Sequence, residues 1–114
     1  MIRVTFWRGS DGELGGFRVT GHAGYGPKGG DIVCAAVSAL AQTAVLGLED
    51  QLEGKPQVTI SDGDLQCRLP ADLSPAGART ARVILRTLEV GLNTIAIDYR
   101  PYVQVEYKTL TNET

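Results

Sequence analysis

One histidine and two cysteines are all that the 114-residue chain offers as imidazole or thiol chemistry. No Cys-x-x-Cys pair occurs, so the close ligand spacing of a structural zinc site is missing. A zinc regulator would have to gather His22, Cys34, Cys67 and Asp31 from separate stretches of chain. The glycine-rich segment has no Gly-Lys-Ser/Thr ending and no βαβ context, which sets a phosphate-binding P-loop aside. Lys and Arg are scattered without a dense basic run, and the formal net charge is −2. Both features count against a dedicated nucleic-acid binder. The run Met1 to Arg8 alternates in polarity, unlike a signal peptide or a membrane span. The expectation is a cytoplasmic protein with free thiols, no metal or cofactor, and neither membrane nor nucleic acid as a partner.

What is present suits one compact domain over residues 1–114. The hydrophobic content of 43% and charged content of 21% are ordinary for a globular chain. A domain of this size buries roughly two-thirds of its unfolded surface and needs no staple. Ile2, Val4 and Phe6 alternate along a strand from Ile2 to Arg8. After the turn cluster Gly9 to Gly12, a run from Gly16 to about Gly21 completes a hairpin. Residues 24–30 hold four glycines and a proline, a composition that excludes helix and sheet interior and reads as a mobile loop. Val33, Val37, Leu40, Ala44 and Leu48 then mark one face of a helix from Asp31 to Leu52, stopped by Gly54 and Pro56. Asp62-Gly63 is a two-residue hairpin signal between strands around Val58 and Ile60 and around Leu65, Cys67 and Leu69. Ser74-Pro75 opens a second helix that turns Ala81, Ile84, Leu85, Leu88, Leu92 and Ile95 inward. Val103 and Val105 belong to a last strand. The order ββαββαβ predicts an α+β two-layer sandwich, with a mostly antiparallel five-stranded sheet and two helices on one face.

The chemistry gathers around the glycine loop. His22 ends the second strand, and Cys34 lies in the first turn of the helix. A helix N-terminus stabilises a thiolate through its free N–H groups and dipole, and a nearby imidazole can take the thiol proton. The same N–H groups, near Val33 and Cys34, are candidates to receive the oxyanion of an acyl-transfer intermediate. Asp31 and Ser38 lie one turn before and one turn after Cys34, on the same side of the helix. Each is a candidate to orient His22 or substrate. Asp31 has the alternative of capping the helix, and Ser38 of filling a small space. Cys34 has the alternative of a small buried hydrophobe. Cys67, between Leu65 and Leu69, reads as core.

Gly21-His22-Ala23-Gly24-Tyr25-Gly26, followed by Gly30-Asp31-Ile32-Val33-Cys34-Ala35-Ala36-Val37-Ser38, resembles the signature of the ribosomal-processing cysteine protease family, Prp. The resemblance implies a cysteine endopeptidase with a Cys34–His22 dyad and supporting roles for Asp31 and Ser38. It places the active-site loop on Gly24, Tyr25, Gly26, Gly29 and Gly30. Its implied substrate is the precursor of the large-subunit ribosomal protein numbered twenty-seven, trimmed of an N-terminal extension after a hydrophobic, aromatic-ending sequence. It also implies a homodimer. The competing reading is a noncatalytic ribosome-assembly factor that binds a basic peptide along a sheet edge.

Overall fold

The computed structural model describes residues 1–110. Its elements are β1 (Ile2–Arg8), β2 (Leu14–Thr20), α1 (Ile32–Gln51), β3 (Gln57–Ser61), β4 (Asp64–Arg68), α2 (Pro75–Asp98) and β5 (Val103–Thr109). The sheet order is β3-β4-β2-β1-β5. Three neighbouring pairs are antiparallel, and β5 runs parallel to β1. The sheet is therefore mixed, as the connection requires: α2 carries the chain from β4 at one side to β5 at the far edge. The predicted α+β class and element order hold. The second strand begins at Leu14, two residues before the expected Gly16. Its register slips between Trp7 and Arg8, where Gly15 is accommodated as a bulge.

Period-two patterning decides which sheet face meets the helices. Val58, Cys67, Phe17, Phe6 and Tyr107 form one row across the five strands. Ile60, Leu65, Val19, Val4 and Val105 form a second. Phe6, Phe17, Val4 and Cys67 are fully enclosed against Val33, Val37 and Leu48 of α1 and Leu85 and Leu92 of α2. The other sheet face carries no helix. There Trp7 lies under the Arg68 guanidinium, 4.6 Å from its ring centroid. Trp7 faces Gly16, where a Cβ would run into the Cys67 carbonyl.

Both helices start where capping chemistry directs. Asp31 caps α1, and Ser74 Oγ accepts from the Gly77 N–H at 3.0 Å at the head of α2. The inward stripe of α1 differs from the predicted one at Leu40, which is 37% exposed, while Ala41 and Val45 are buried instead. Leu40 points sideways toward α2, where Gly91 makes room for it: a Cβ on Gly91 would sit 3.2 Å from Leu40 Cδ1. Gly47 of α1 likewise faces Ile84 of α2. Small residues on each helix thus admit the other's large side chain, which closes the helix layer.

One buried carboxylate ties α2 to the parallel edge. Glu89 accepts from the Tyr107 hydroxyl at 2.6 Å and from Arg86 at 2.7 Å, with Arg8 at 3.8 Å. Burial alone would raise its pKa, but these donors outweigh it and hold the carboxyl below the ordinary glutamate value. The Tyr107 phenol moves the opposite way, pushed up by burial and by Glu89. Because the native Glu89 pKa is depressed, its contribution is full above the ordinary glutamate range and is lost as pH falls through the native value. Tyr107→Phe, followed by urea unfolding, is expected to cost about 1.5–3 kcal/mol at neutral pH. The difference from the parent should shrink in acid, and a pH-independent difference would contradict this account.

Candidate active site

His22 sits two residues past the end of β2, on a segment fixed from both sides. Gly21 has φ +87, and any side chain there would strike the Met1 carbonyl, so glycine is required at this close approach. Its N–H donates to the Gly63 carbonyl at 2.9 Å. Gly63, at φ +70, is the turn residue of the β3–β4 hairpin, and a Cβ built there would stand 3.2 Å from His22 Nε2. The exposed imidazole therefore rests against the bare backbone of a hairpin tip. The sequence marks Asp62-Gly63 as a turn and gives no sign of this second role. Only tertiary contact reveals it.

Cys34 lies half-buried in the first turn of α1, and Asp31 organises its surroundings. Asp31 Oδ1 accepts from the N–H groups of Val33 and Cys34, each at 3.0 Å. Oδ2 accepts from those of Tyr25 at 2.9 Å and Gly26 at 3.2 Å. These bonds, the Cys34 N–H foremost, hold the Asp31 carboxyl below the usual carboxylate range against the opposing effect of desolvation. Asp31 thus caps the helix and ties down the loop; it makes no hydrogen bond to His22 among the described residues. This overturns the expected oxyanion site. The Val33 and Cys34 N–H groups are already spent on the cap.

The Cys34 thiol has a different donor. The Ala23 N–H lies 3.1 Å from Sγ. Ala23 is 4% exposed, its methyl packed into the core. An alanine carries no side-chain chemistry, so nothing in the sequence singles it out; the active group is its backbone. Cys34, His22 and Ser38 lie where two depressions meet. The first, of about 290 Å³, runs between α1 and the β3–β4 hairpin and includes Ile2, Val19, Val37, Ile60 and Asp62. The second, of about 460 Å³, lies under the glycine loop and includes Gly24, Gly26, Lys28, Gly29 and Asp31. Among the described residues no hydrogen bond joins His22 to Cys34; the two are brought to one cleft, not locked together.

Ser38 is exposed, and its Oγ accepts from Gln42 Nε2 at 2.8 Å. Gln42 also borders the first cleft, a partner that the i, i+4 spacing offers. Within the loop, Gly24, Gly26 and Gly29 face the second cleft, whereas Gly30 closes a turn by donating to the Pro27 carbonyl at 2.8 Å. Tyr25 turns away. Its ring meets Tyr99 and Tyr102 edge-on at centroid distances of 5.7 and 5.1 Å. The loop expected to be mobile is therefore anchored at Tyr25 and Gly26. Ile60 of β3 is 67% exposed because neither helix reaches over β3, and it forms an apolar lip of the first cleft. Cys67 is fully enclosed, and burial pushes its thiol up to about 11, so it stays protonated. Among the described residues no three His, Cys, Asp or Glu side chains come together as a metal-binding group.

With this geometry in hand, the comparisons with known proteins are specific. The family model described as cysteine protease Prp matches residues 1–104. The ribosomal processing cysteine protease Prp of Bacillus subtilis is 31% identical over 107 residues, covering 92% of this chain and 96% of that protein. The Staphylococcus aureus ribosomal processing protease Prp, solved with a covalently linked product peptide, superposes with a TM-score of 0.83. It is 29% identical, and the match covers 95% of this chain and 100% of that one. The same S. aureus protease solved with a substrate peptide gives a TM-score of 0.78 at 28% identity, with the same coverage.

The seat of His22 on Gly63 is testable without reference to any reaction. Gly63→Ala adds a methyl at positive φ, which costs about 1–2 kcal/mol in an unfolding titration. It should also displace the imidazole, visible as altered His22 ring resonances in NMR. Unchanged ring resonances would show that the hairpin tip does not seat the ring.

Proposed function

We propose, for a chain that belongs to the cysteine protease Prp family, that Cys34 and His22 form the catalytic dyad of a ribosomal-processing endopeptidase. The substrate is the precursor of the large-subunit ribosomal protein numbered twenty-seven, whose N-terminal extension is removed after a hydrophobic, aromatic-ending sequence. The observation that carries this reading is the placement of the Cys34 thiol. It receives a backbone N–H at 3.1 Å, at a helix start, in a cleft that it shares with the only histidine of the chain. A structural cysteine has no use for that arrangement, as the enclosed and unbonded Cys67 illustrates.

The two depressions that meet at Cys34 suit an extended peptide crossing the nucleophile. The hairpin-side cleft, with Ile2, Val19, Val37 and Ile60, supplies the apolar wall that an aromatic residue before the scissile bond requires. The glycine-lined side lets a peptide backbone approach closely. In the first step the Sγ electron pair forms a bond to the scissile carbonyl carbon, and the carbonyl π pair moves to oxygen. Collapse breaks the C–N bond, and the leaving amine takes its proton from the His22 imidazolium. Water, deprotonated by His22, then adds to the thioester and releases the acid with the Cys34 thiolate. Asp31 acts as a positioning residue, holding the nucleophile's helix turn and the loop in one register. Ser38, fixed by Gln42, lies at the cleft edge within reach of substrate.

The enzyme works as a single 1–114 domain in the cytoplasm and as a homodimer. The dimer is supported by an apolar stripe on the outer side of α2, where Val83, Val90 and Ile97 recur every seven residues at 67%, 50% and 64% exposure. Val90→Glu is expected to halve the mass measured by sedimentation equilibrium without changing the circular dichroism spectrum. An unchanged mass would move the interface elsewhere.

The decisive measurement is incubation with the unprocessed ribosomal protein, followed by sequencing of the new N-terminus. A single cut after the aromatic residue is expected, lost on Cys34→Ala and on His22→Ala. Cleavage that survives Cys34→Ala sinks the assignment. The basic-peptide binding module predicts instead that substrate is retained intact by both the parent and the variant.

A further inference from the structure

The capping role of Asp31 leaves the tetrahedral intermediate without the donors usually sought at a helix start. Val33 and Cys34 each give their N–H to Asp31 Oδ1 at 3.0 Å, and the Ala35 N–H goes to the Asp31 carbonyl at 3.0 Å. Among the polar side chains that border the same clefts, Lys28, Ser38 and Gln42 are all exposed. Ser38 Oγ accepts from Gln42 Nε2, and Lys28 lines the glycine-loop cleft, but neither is placed on the sulfur. One donor stands on the reacting atom itself: the Ala23 N–H, 3.1 Å from Sγ.

We propose that the Ala23 backbone N–H is the oxyanion donor, serving the thiolate in the free enzyme and the substrate oxygen once the S–C bond has formed. The inference rests on Cys34 being the nucleophile. When Sγ adds to the carbonyl carbon, its electron pair enters the new bond and its negative charge passes to the oxygen, one bond angle away from sulfur. The same N–H needs only to shift from one atom to its near neighbour, following the charge. No proton is transferred to or from Ala23. On collapse the oxygen pair re-forms the carbonyl and the C–N bond breaks, with the amine proton coming from His22.

The donor is rigid in the way such a role requires. On one side Gly21 is hydrogen-bonded to Gly63; on the other, Tyr25 and Gly26 are bonded to Asp31; between them the Ala23 methyl is buried. Asp31 also fixes the Cys34 N–H, so donor and nucleophile are referred to one carboxylate. Gly24 turns the chain immediately afterwards at φ +71 with open space around it, leaving the approach to Ala23 clear for substrate.

Cys34 itself allows the test, since a synthetic 1–33 thioester can be ligated to a 34–114 fragment through it. Two full-length proteins are compared: the all-amide chain and an Ala23→lactate chain, whose ester linkage lacks only that N–H. Cleavage of the ribosomal precursor reads nucleophile and oxyanion together. Alkylation by chloroacetamide reads the thiolate alone, because it creates no oxyanion. The expected result is a 100- to 1,000-fold lower kcat for the ester chain, the cost of one oxyanion donor, with a far smaller change in alkylation rate. Equal cleavage by both chains, or losses of equal size in cleavage and alkylation, would overturn the proposal. An inactive all-amide chain would instead overturn the assignment of Cys34 as nucleophile. Should the ester chain not fold, the all-amide chain labelled with ¹⁵N at Ala23 is titrated with acetyl-Phe-Phe aldehyde. A downfield shift of the Ala23 amide proton on thiohemiacetal formation is expected, and an unmoved resonance overturns the proposal.

Discussion

The Asp31 carboxylate is the constraint on which the site depends. A carboxylate has two oxygens and room for about four donors, and here both oxygens are used. One ends the helix that carries the thiol; the other ends the loop that follows the imidazole. Without that bridge the glycine loop would keep the conformational freedom its composition allows, and ordering it would cost entropy at each binding event. The depressed pKa of Asp31 keeps the bridge charged further into acid than an unbonded carboxylate would stay. Its usefulness comes with a restriction: N–H groups that cap themselves on Asp31 are not available for a substrate oxygen.

The sheet supplies the other half of the arrangement. β2 leads to His22 while β4 pairs along β2, so the hairpin that joins β3 and β4 is brought under the imidazole. The rows of apolar side chains across the strands fix this register, because a slip of one residue would turn Phe17 and Val19 to the open face. The helices pack over the middle of the sheet and stop short of β3, which leaves Ile60 uncovered. That shortfall makes a cleft beside Cys34 instead of a continuous core. At the opposite edge the parallel strand β5 is held to α2 through Tyr107 and Glu89. The edge tied to α2 and the edge that opens the cleft thus lie at opposite ends of the sheet order.

Periodic features are legible in the order of residues. Alternation marks β1, β4 and β5, and the Asp62-Gly63 turn marks the central hairpin. Ser74-Pro75 marks the head of α2, and the alternation around Cys67 marks a core thiol. Where two patterns compete, spacing misleads. Leu40 fits the apolar stripe of α1 by spacing but belongs to the contact with α2, because Gly91 opposite it admits a large side chain. The freedom of the loop's glycines is a local property; the tether at Tyr25 and Gly26 is not local.

By itself the sequence determined the order of elements, the alternation of β1, β4 and β5, and the residue types able to do thiol chemistry. These follow from interactions within a few residues along the chain, where spacing translates directly into geometry. The tertiary structure alone decided which backbone groups are spent and which are free. It assigned the helix-start N–H groups to Asp31, set the Ala23 N–H on the Cys34 sulfur, and laid Gly63 under His22. Backbone donors are the same at every residue, so no sequence marks them. Only the folded path of the chain tells one N–H from another.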